Sequence, residues 1–277
     1  MASYDKVVDS AALDAAMTYT ANRIRVKTGG TDQIAWDSAK GFGDTVDAIP
    51  TGGGDPLAGL SELATFTVSP ATTVTDFVAD IPNVTSLAKS FYGTRLTPIQ
   101  KIELTVSTKL TNVSWMFGNG SVGSLTEIVF KGDFSKVTSL RQAFSCSGSG
   151  RSTTLKKIAG LDFTSVTDAT NLFTSQYGLT DIDIKANTVN VSLSLGDQPN
   201  LTVASCINVL NALKDRTGQD ALTLTFNAAL KTAGTGIIYA NYVKLDADTN
   251  LYVSCESADA GAVTIAAAIT AKNWTIA

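Results

Sequence analysis

Val84-Thr85-Ser86-Leu87-Ala88-Lys89-Ser90-Phe91 is answered three times downstream, by Leu110-Thr111-Asn112-Val113 ending in Phe117, Val137-Thr138-Ser139-Leu140 ending in Phe144, and Val166-Thr167-Asp168-Ala169 ending in Phe173. The four phenylalanines stand 26, 27 and 29 residues apart, a regularity that marks an internal repeat. A second pattern follows each copy: Ile99-x-x-Ile102-x-Leu104, Leu125-x-x-Ile128-x-Phe130, Leu155-x-x-Ile158 and Leu179-x-x-Ile182-x-Ile184. This second pattern predicts a short strand that turns alternate residues inward. The first is apolar at i, i+3 and i+7, which predicts one to two helical or 3₁₀ turns. Neither piece buries its apolar face alone. Stacked copies form one ladder with Phe91, Phe117, Phe144 and Phe173 in the core. The loops Gly118–Ser121 and Ser145–Ser152 are expected to project from it.

Working outward, Ala64-Thr65-Phe66-Thr67-Val68-Ser69 alternates as a strand does, so 57–185 is expected to be a β-rich solenoid. Upstream, Val7, Val8, Ala12, Leu13, Ala16, Ala21 and Ile24 recur at helical spacing and Gly29-Gly30 stops the helix. With a second short helix over Phe42–Ile49, residues 1–49 form a helical N-terminal module. Pro50 to Pro56, with Gly52-Gly53-Gly54 inside, is a linker. Residues 186–277 lose the repeat and are expected to cap it. There, Thr202 introduces an amphipathic helix running to Leu213. Leu222–Phe226 and Leu251–Val253 are strands, 227–243 is a less regular helical stretch, and an Ala-rich helix covers about 257–271. The fold class is α+β: a short solenoid with a helical N-terminal module and an α/β C-terminal cap.

Composition narrows function. Of 277 residues, 44% are hydrophobic and 17% charged, enough apolar surface for a real core and too little charge for salt bridges to dominate. A net charge of −4 gives no electrostatic footprint for nucleic acid. The basic cluster Arg23, Arg25 and Lys27 complements the end of the first helix. There is no histidine, which removes the commonest general base and metal ligand. Cys146, Cys206 and Cys255 are scattered and form no CxxC, so they are expected to be buried thiols of a protein made in a reducing cytoplasm. Met1–Asp9 is polar, not a leader, and Val263–Ile269 is too short to span a bilayer, so no membrane insertion is expected.

Three groups of residues offer chemistry and a blander alternative. Asp181-x-Asp183 has paired carboxylates, yet flanking Ile182 they fit the solvent side of a strand. Asp246-x-Asp248-x-Asn250 opens like a calcium loop, without the Gly and Glu that complete one. Trp36, Trp115 and Trp274 could stack on sugars; packing is the simpler role for the last two. No catalytic, cofactor or metal residue is expected, and no binding residue is singled out.

The V-T-x-L/A-x-x-x-F units and their L-x-x-I strands resemble the leucine-rich repeats of the BspA type, found in bacterial surface proteins and in phage and prophage proteins. Copies are few and irregularly spaced compared with that family. Residues 9–50, with Ala21-Asn22-Arg23-Ile24-Arg25-Val26-Lys27-Thr28-Gly29-Gly30 at their centre, look like the leader module of phage tail-fibre-like, baseplate-associated or head-fibre proteins. The Ala271–Ile276 ending is similar to endings in that group. The resemblance implies a non-enzymatic virion structural protein assembled in the host cytoplasm. It implies attachment to other virion proteins through residues 1–49, a repeat domain facing a host-surface protein or glycan, and homo-oligomers. A bacterial adhesin module is the second reading. A glycan-cleaving solenoid enzyme is the third, discouraged by the sparse charge of the repeats.

Overall fold

Four inward isoleucines, Ile102, Ile128, Ile158 and Ile182, pair in register across parallel strands and set the architecture. The computed structural model describes residues 75–92, 96, 99–118, 123–146 and 152–277, all within the unit Ser61–Ala277. The helical module expected over 1–49, the linker at 50–56 and the strand at 64–69 lie outside the described residues. Five strands form one sheet in chain order: β1 (Asp76–Asp80), β2 (Lys101–Val106), β3 (Glu127–Gly132), β4 (Lys157–Leu161) and β5 (Asp181–Ile184). Every neighbouring pair is parallel, so each step is one coil of a β-solenoid, about four turns long. Strand β1 was not legible as one, because Asp76-Phe77-Val78-Ala79-Asp80 carries an acid at each end.

The phenylalanines stack inside as expected. Phe91 and Phe117 lie face to face at 5.1 Å, Phe117 and Phe144 at 6.1 Å, and Phe144 and Phe173 at 5.9 Å. All four are buried. The segment leading to each is not helical, a correction to the expected helical or 3₁₀ turns. Ser86, Asn112, Ser139 and Asp168 form parallel bridges from coil to coil instead. Two competing partners defeat the helix. The side chains of Ser86, Asn112 and Asp168 accept the N–H two residues on. Alternate N–H groups donate to the next coil, as Val113 does to the Ser139 carbonyl (3.0 Å) and Trp115 to the Arg141 carbonyl (2.9 Å). The motif threonine ties the coils in the other direction. Thr111, Thr138 and Thr167 hydroxyls donate to the Thr85, Thr111 and Thr138 carbonyls of the coil before.

Stacking continues past Lys185 with the elements exchanged. Helix α1 (Val203–Ala212) follows β5, where a sixth strand would lie. Its N-cap Thr202 donates to the Thr180 carbonyl, extending the column in which Thr180 donates to Lys156 and Lys156 to Thr126. On the opposite side, β6 (Leu193–Leu195), β7 (Leu222–Phe226) and β11 (Trp274–Ile276) form a second parallel sheet. The helix predicted through Leu213 and the strand at 222–226 are both present.

Two expectations for the cap are corrected. The stretch 227–243 holds only a 3₁₀ turn at Ala228–Leu230, helix α2 (Ile237–Ala240) and the start of β8 (Tyr242–Leu245). Gly234, at φ 78°, and Gly236, packed against the Leu230 carbonyl, break a continuous helix. The Ala-rich helix begins only at Ile265 (α3, Ile265–Ala271), because Gly261 turns the chain into the two-residue strand β10 (Val263–Thr264). Strand β9 (Tyr252–Cys255) completes an antiparallel three-stranded sheet with β8 and β10.

Candidate functional site

The five-stranded sheet presents one outward side chain per coil along its outer face. Its register places Asp76, Lys101, Glu127, Lys157 and Asp181 side by side, one per coil, with alternating charge. Lys157 pairs with Glu127 and Lys101 with Glu103, both at 2.8 Å, and Lys131 also reaches Glu103. Hydrogen bonds from Lys101 and Lys131 hold the Glu103 carboxyl below its usual range, and the Glu127 carboxylate raises Lys157. Charges satisfied along the row must be separated before a charged ligand can claim them, so the face is a weak electrostatic magnet. In the neighbouring row the ion-paired Glu103 stands between Val78 (62% exposed) and Val129.

Asp181 and Asp183 do occupy the solvent side of β5, with Ile182 buried between them. Both are engaged structurally. Asp183 accepts from the Asn208 amide (3.0 Å) and the Gly160 N–H (3.4 Å), and Asp181 accepts from the Thr180 hydroxyl (2.7 Å). Helix α1 covers the edge of β5 beside them. Ile182 N–H donates to Ser205 Oγ (3.0 Å) and Ile184 N–H to Asn208 Oδ1 (2.8 Å). An open cavity of about 430 Å³ lies between this helix and Lys157.

A larger groove, about 510 Å³, runs past the ends of β3, β4 and β5. Asp162 on its wall is buried and pairs with Lys185 at 2.8 Å. Burial alone would push this carboxyl up, but hydrogen bonds from Lys185 and Thr164 outweigh it and hold it low. Gly160 makes a bulge here, with φ 82° and two residues opposite one on β5.

The calcium-like triplet is a hairpin turn. Asp246 accepts from the Thr249 N–H (2.9 Å) and hydroxyl (2.7 Å), and Asn250 takes φ 56° before β9. Among the described residues, no three His, Cys, Asp or Glu side chains are grouped to hold a metal ion. Cys146 and Cys206 are buried and Cys255 is half-buried; burial pushes the Cys206 thiol up to about 12. No described helix is long and apolar enough to cross a membrane.

The two described tryptophans part company. Trp274 is 2% exposed and its indole donates to the Lys214 carbonyl at 2.9 Å. Trp115 is only half-buried, and its ring lies 6.4 Å from that of Tyr92 on the neighbouring coil, tilted by 59°. Tyr92 is also half-buried and carries the Lys89 ammonium 5.8 Å from its centroid. Sequence reasoning missed this pair because Tyr92 falls just outside the repeated motif. The signal was available in the spacing: Trp115 precedes Phe117 by two, and Tyr92 follows Phe91 by one. No family model, curated protein or solved structure matches the chain.

Proposed function

We propose that the chain is a non-enzymatic phage virion structural protein of the tail-fibre, baseplate or head-fibre kind. Residues 1–49 attach it to other virion proteins, and the coil stack faces outward for host-surface binding or particle decoration. One observation carries the display half of this reading. Parallel coils hold outward side chains in rows, one per coil, on a backbone whose N–H groups are taken by the next coil, and such a scaffold presents a fixed surface without a closing lid. The paired charges of the sheet face fit a displayed surface better than a site that gathers a charged substrate. The virion half rests on the likeness of the repeat, leader and ending to phage fibre proteins. Cryo-electron microscopy of intact particles tests it. Density for the coil stack outside a capsid or tail, joined to it by residues 1–49, supports the reading. Particles that lack the protein altogether refute it.

A further inference from the structure

Strand β11 stands at the edge of the second parallel sheet, with β7 on one side only. That neighbour engages alternate residues. Ala277 N–H donates to the Leu224 carbonyl (3.0 Å) and its carbonyl accepts from Phe226 N–H (2.9 Å), so Thr275, two residues back, faces β7 as well. Trp274 and Ile276 therefore turn their backbone N–H and C=O groups away from the sheet. At β5 and β9 such outward groups are taken by side chains of α1. Among the described residues, no hydrogen bond takes the Ile276 N–H. An open groove of about 700 Å³ separates β11 from Ala267 and Thr270 on α3. It touches Trp274, Thr275 and Ile276 in succession, and consecutive strand residues point to opposite faces, so the groove borders the edge rather than one face. A free strand edge beside an open groove is the arrangement that accepts an added strand.

We propose that the strand added here is β11 of a second copy, the two pairing antiparallel about a twofold axis at Thr275. Charge selects this occupant. No residue lining the groove is charged, while the chain as a whole carries a net charge of −4. A twofold axis sets each residue near its own copy, so a charged side chain beside it would meet its like. A neutral strip escapes that repulsion, and it offers an acidic or basic peptide no opposite charge. Centred on Thr275, the pairing sets Trp274 of each copy opposite Ile276 of the other, and the outward N–H and C=O groups of both residues find partners. The exposed Thr275 side chains then face one another across the axis in a non-hydrogen-bonded pair, where threonines pack well. Ala267 and Thr270, one turn apart on α3, are small enough to leave the arriving strand its room. Tyr239, 41% exposed, lines the same groove and covers part of the joint.

This edge pairing does not rest on the virion reading, and either can fail without the other. The test is sedimentation of the full chain over a concentration series, with amide hydrogen exchange followed alongside. The parent is expected to pass from monomer to dimer as concentration rises, and the Ile276 amide is expected to exchange more slowly in the dimer. Thr275→Lys places like charges across the axis and should weaken the dimer at least about tenfold. Because Thr275 is exposed, that variant should unfold at the parent's urea midpoint. Thr275→Cys reads the register directly, since facing residues of a non-hydrogen-bonded pair lie within disulfide reach. Mild oxidation should link this variant into a covalent dimer, and the parent treated in the same way should stay unlinked. A parent that remains monomeric at every concentration overturns the proposal. So does a dimer that Thr275→Lys leaves at full strength, or one in which Thr275→Cys fails to cross-link.

Discussion

Replacing Ser205 with alanine probes how the solenoid protects its last strand. Ile182 N–H, at the buried centre of β5, has Ser205 Oγ as its acceptor at 3.0 Å, and both residues are under 5% exposed. Removing the hydroxyl takes the acceptor from a buried N–H, which costs about 1–3 kcal/mol. Alanine returns about 0.5 kcal/mol through its better helix propensity. The net loss is about 0.5–2.5 kcal/mol. With a urea slope of about 2–3 kcal/mol per molar for a domain of this size, the midpoint should fall by roughly 0.2–1.2 M. Asn208→Ala is the control. It accepts from Ile184 N–H in a similar way and donates to the exposed Asp183 carboxylate, but Asn208 is half-buried, and water can substitute in both contacts. Its cost should stay within about 0.5 kcal/mol. Hydrogen exchange adds a local readout, since the Ile182 amide should exchange faster in Ser205→Ala. An unchanged urea midpoint together with an unchanged Ile182 exchange rate would refute the idea that side chains of α1 replace the missing strand.

Four further outcomes are expected. Phe144→Ala empties the middle of the aromatic stack between Phe117 and Phe173 and should cost about 3–5 kcal/mol in urea unfolding. Gly160→Ala drives a Cβ into the Phe130 carbonyl at φ 82° and should cost more than about 2 kcal/mol, whereas Gly218→Ala, at φ 80° with nothing nearby, should cost only about 1 kcal/mol. Asp162, whose folded carboxyl is held below its unfolded value, stabilises the fold above the ordinary carboxylate range and loses that contribution as pH falls through the folded value. Asp162→Asn should therefore flatten the acid limb of the stability curve below about pH 4, measured by urea midpoints at successive pH values. Lys272 donates to the Leu210 and Leu213 carbonyls at the end of α1, and Lys272→Met should lower the melting temperature by removing this side-chain donor from the helix end.

Periodic burial was legible in the sequence, and hydrogen bonds between coils were not. Leu87, Val113, Leu140 and Phe91, Phe117, Phe144, Phe173 announce themselves because every copy needs an apolar residue there. The same i, i+3, i+7 spacing suits a helix and this bridge-and-turn corner equally. What decides between them is Asn112 accepting from Ser114 together with Trp115 donating to Arg141, the second a contact between residues that no local window joins. The outward charge row was hidden for the same reason. Lys101, Glu127 and Lys157 look like isolated charges until the coil length sets them side by side. In the cap, composition misled: an Ala-rich run favours helix throughout, yet Gly261 and the β10–β8 pairing claim its first half.

The exchange of strand for helix at the end of the sheet follows from what a strand edge exposes. A sixth strand after β5 would satisfy its N–H groups and create an identical open edge one coil further on. A helix ends that regress, because its backbone bonds internally and it offers only side chains outward. Ser205 and Asn208, one turn apart on α1, meet Ile182 and Ile184, two apart on β5, because one helical turn is close in length to two strand residues. The same device recurs at β9, where the Asn211 side chain both accepts from Tyr252 N–H (2.7 Å) and donates to its carbonyl (2.9 Å), standing in for a neighbouring strand. Three polar residues on one helix thus cover one edge of each of two sheets, the β5 edge and the β9 edge, and blunt them against pairing with a further strand.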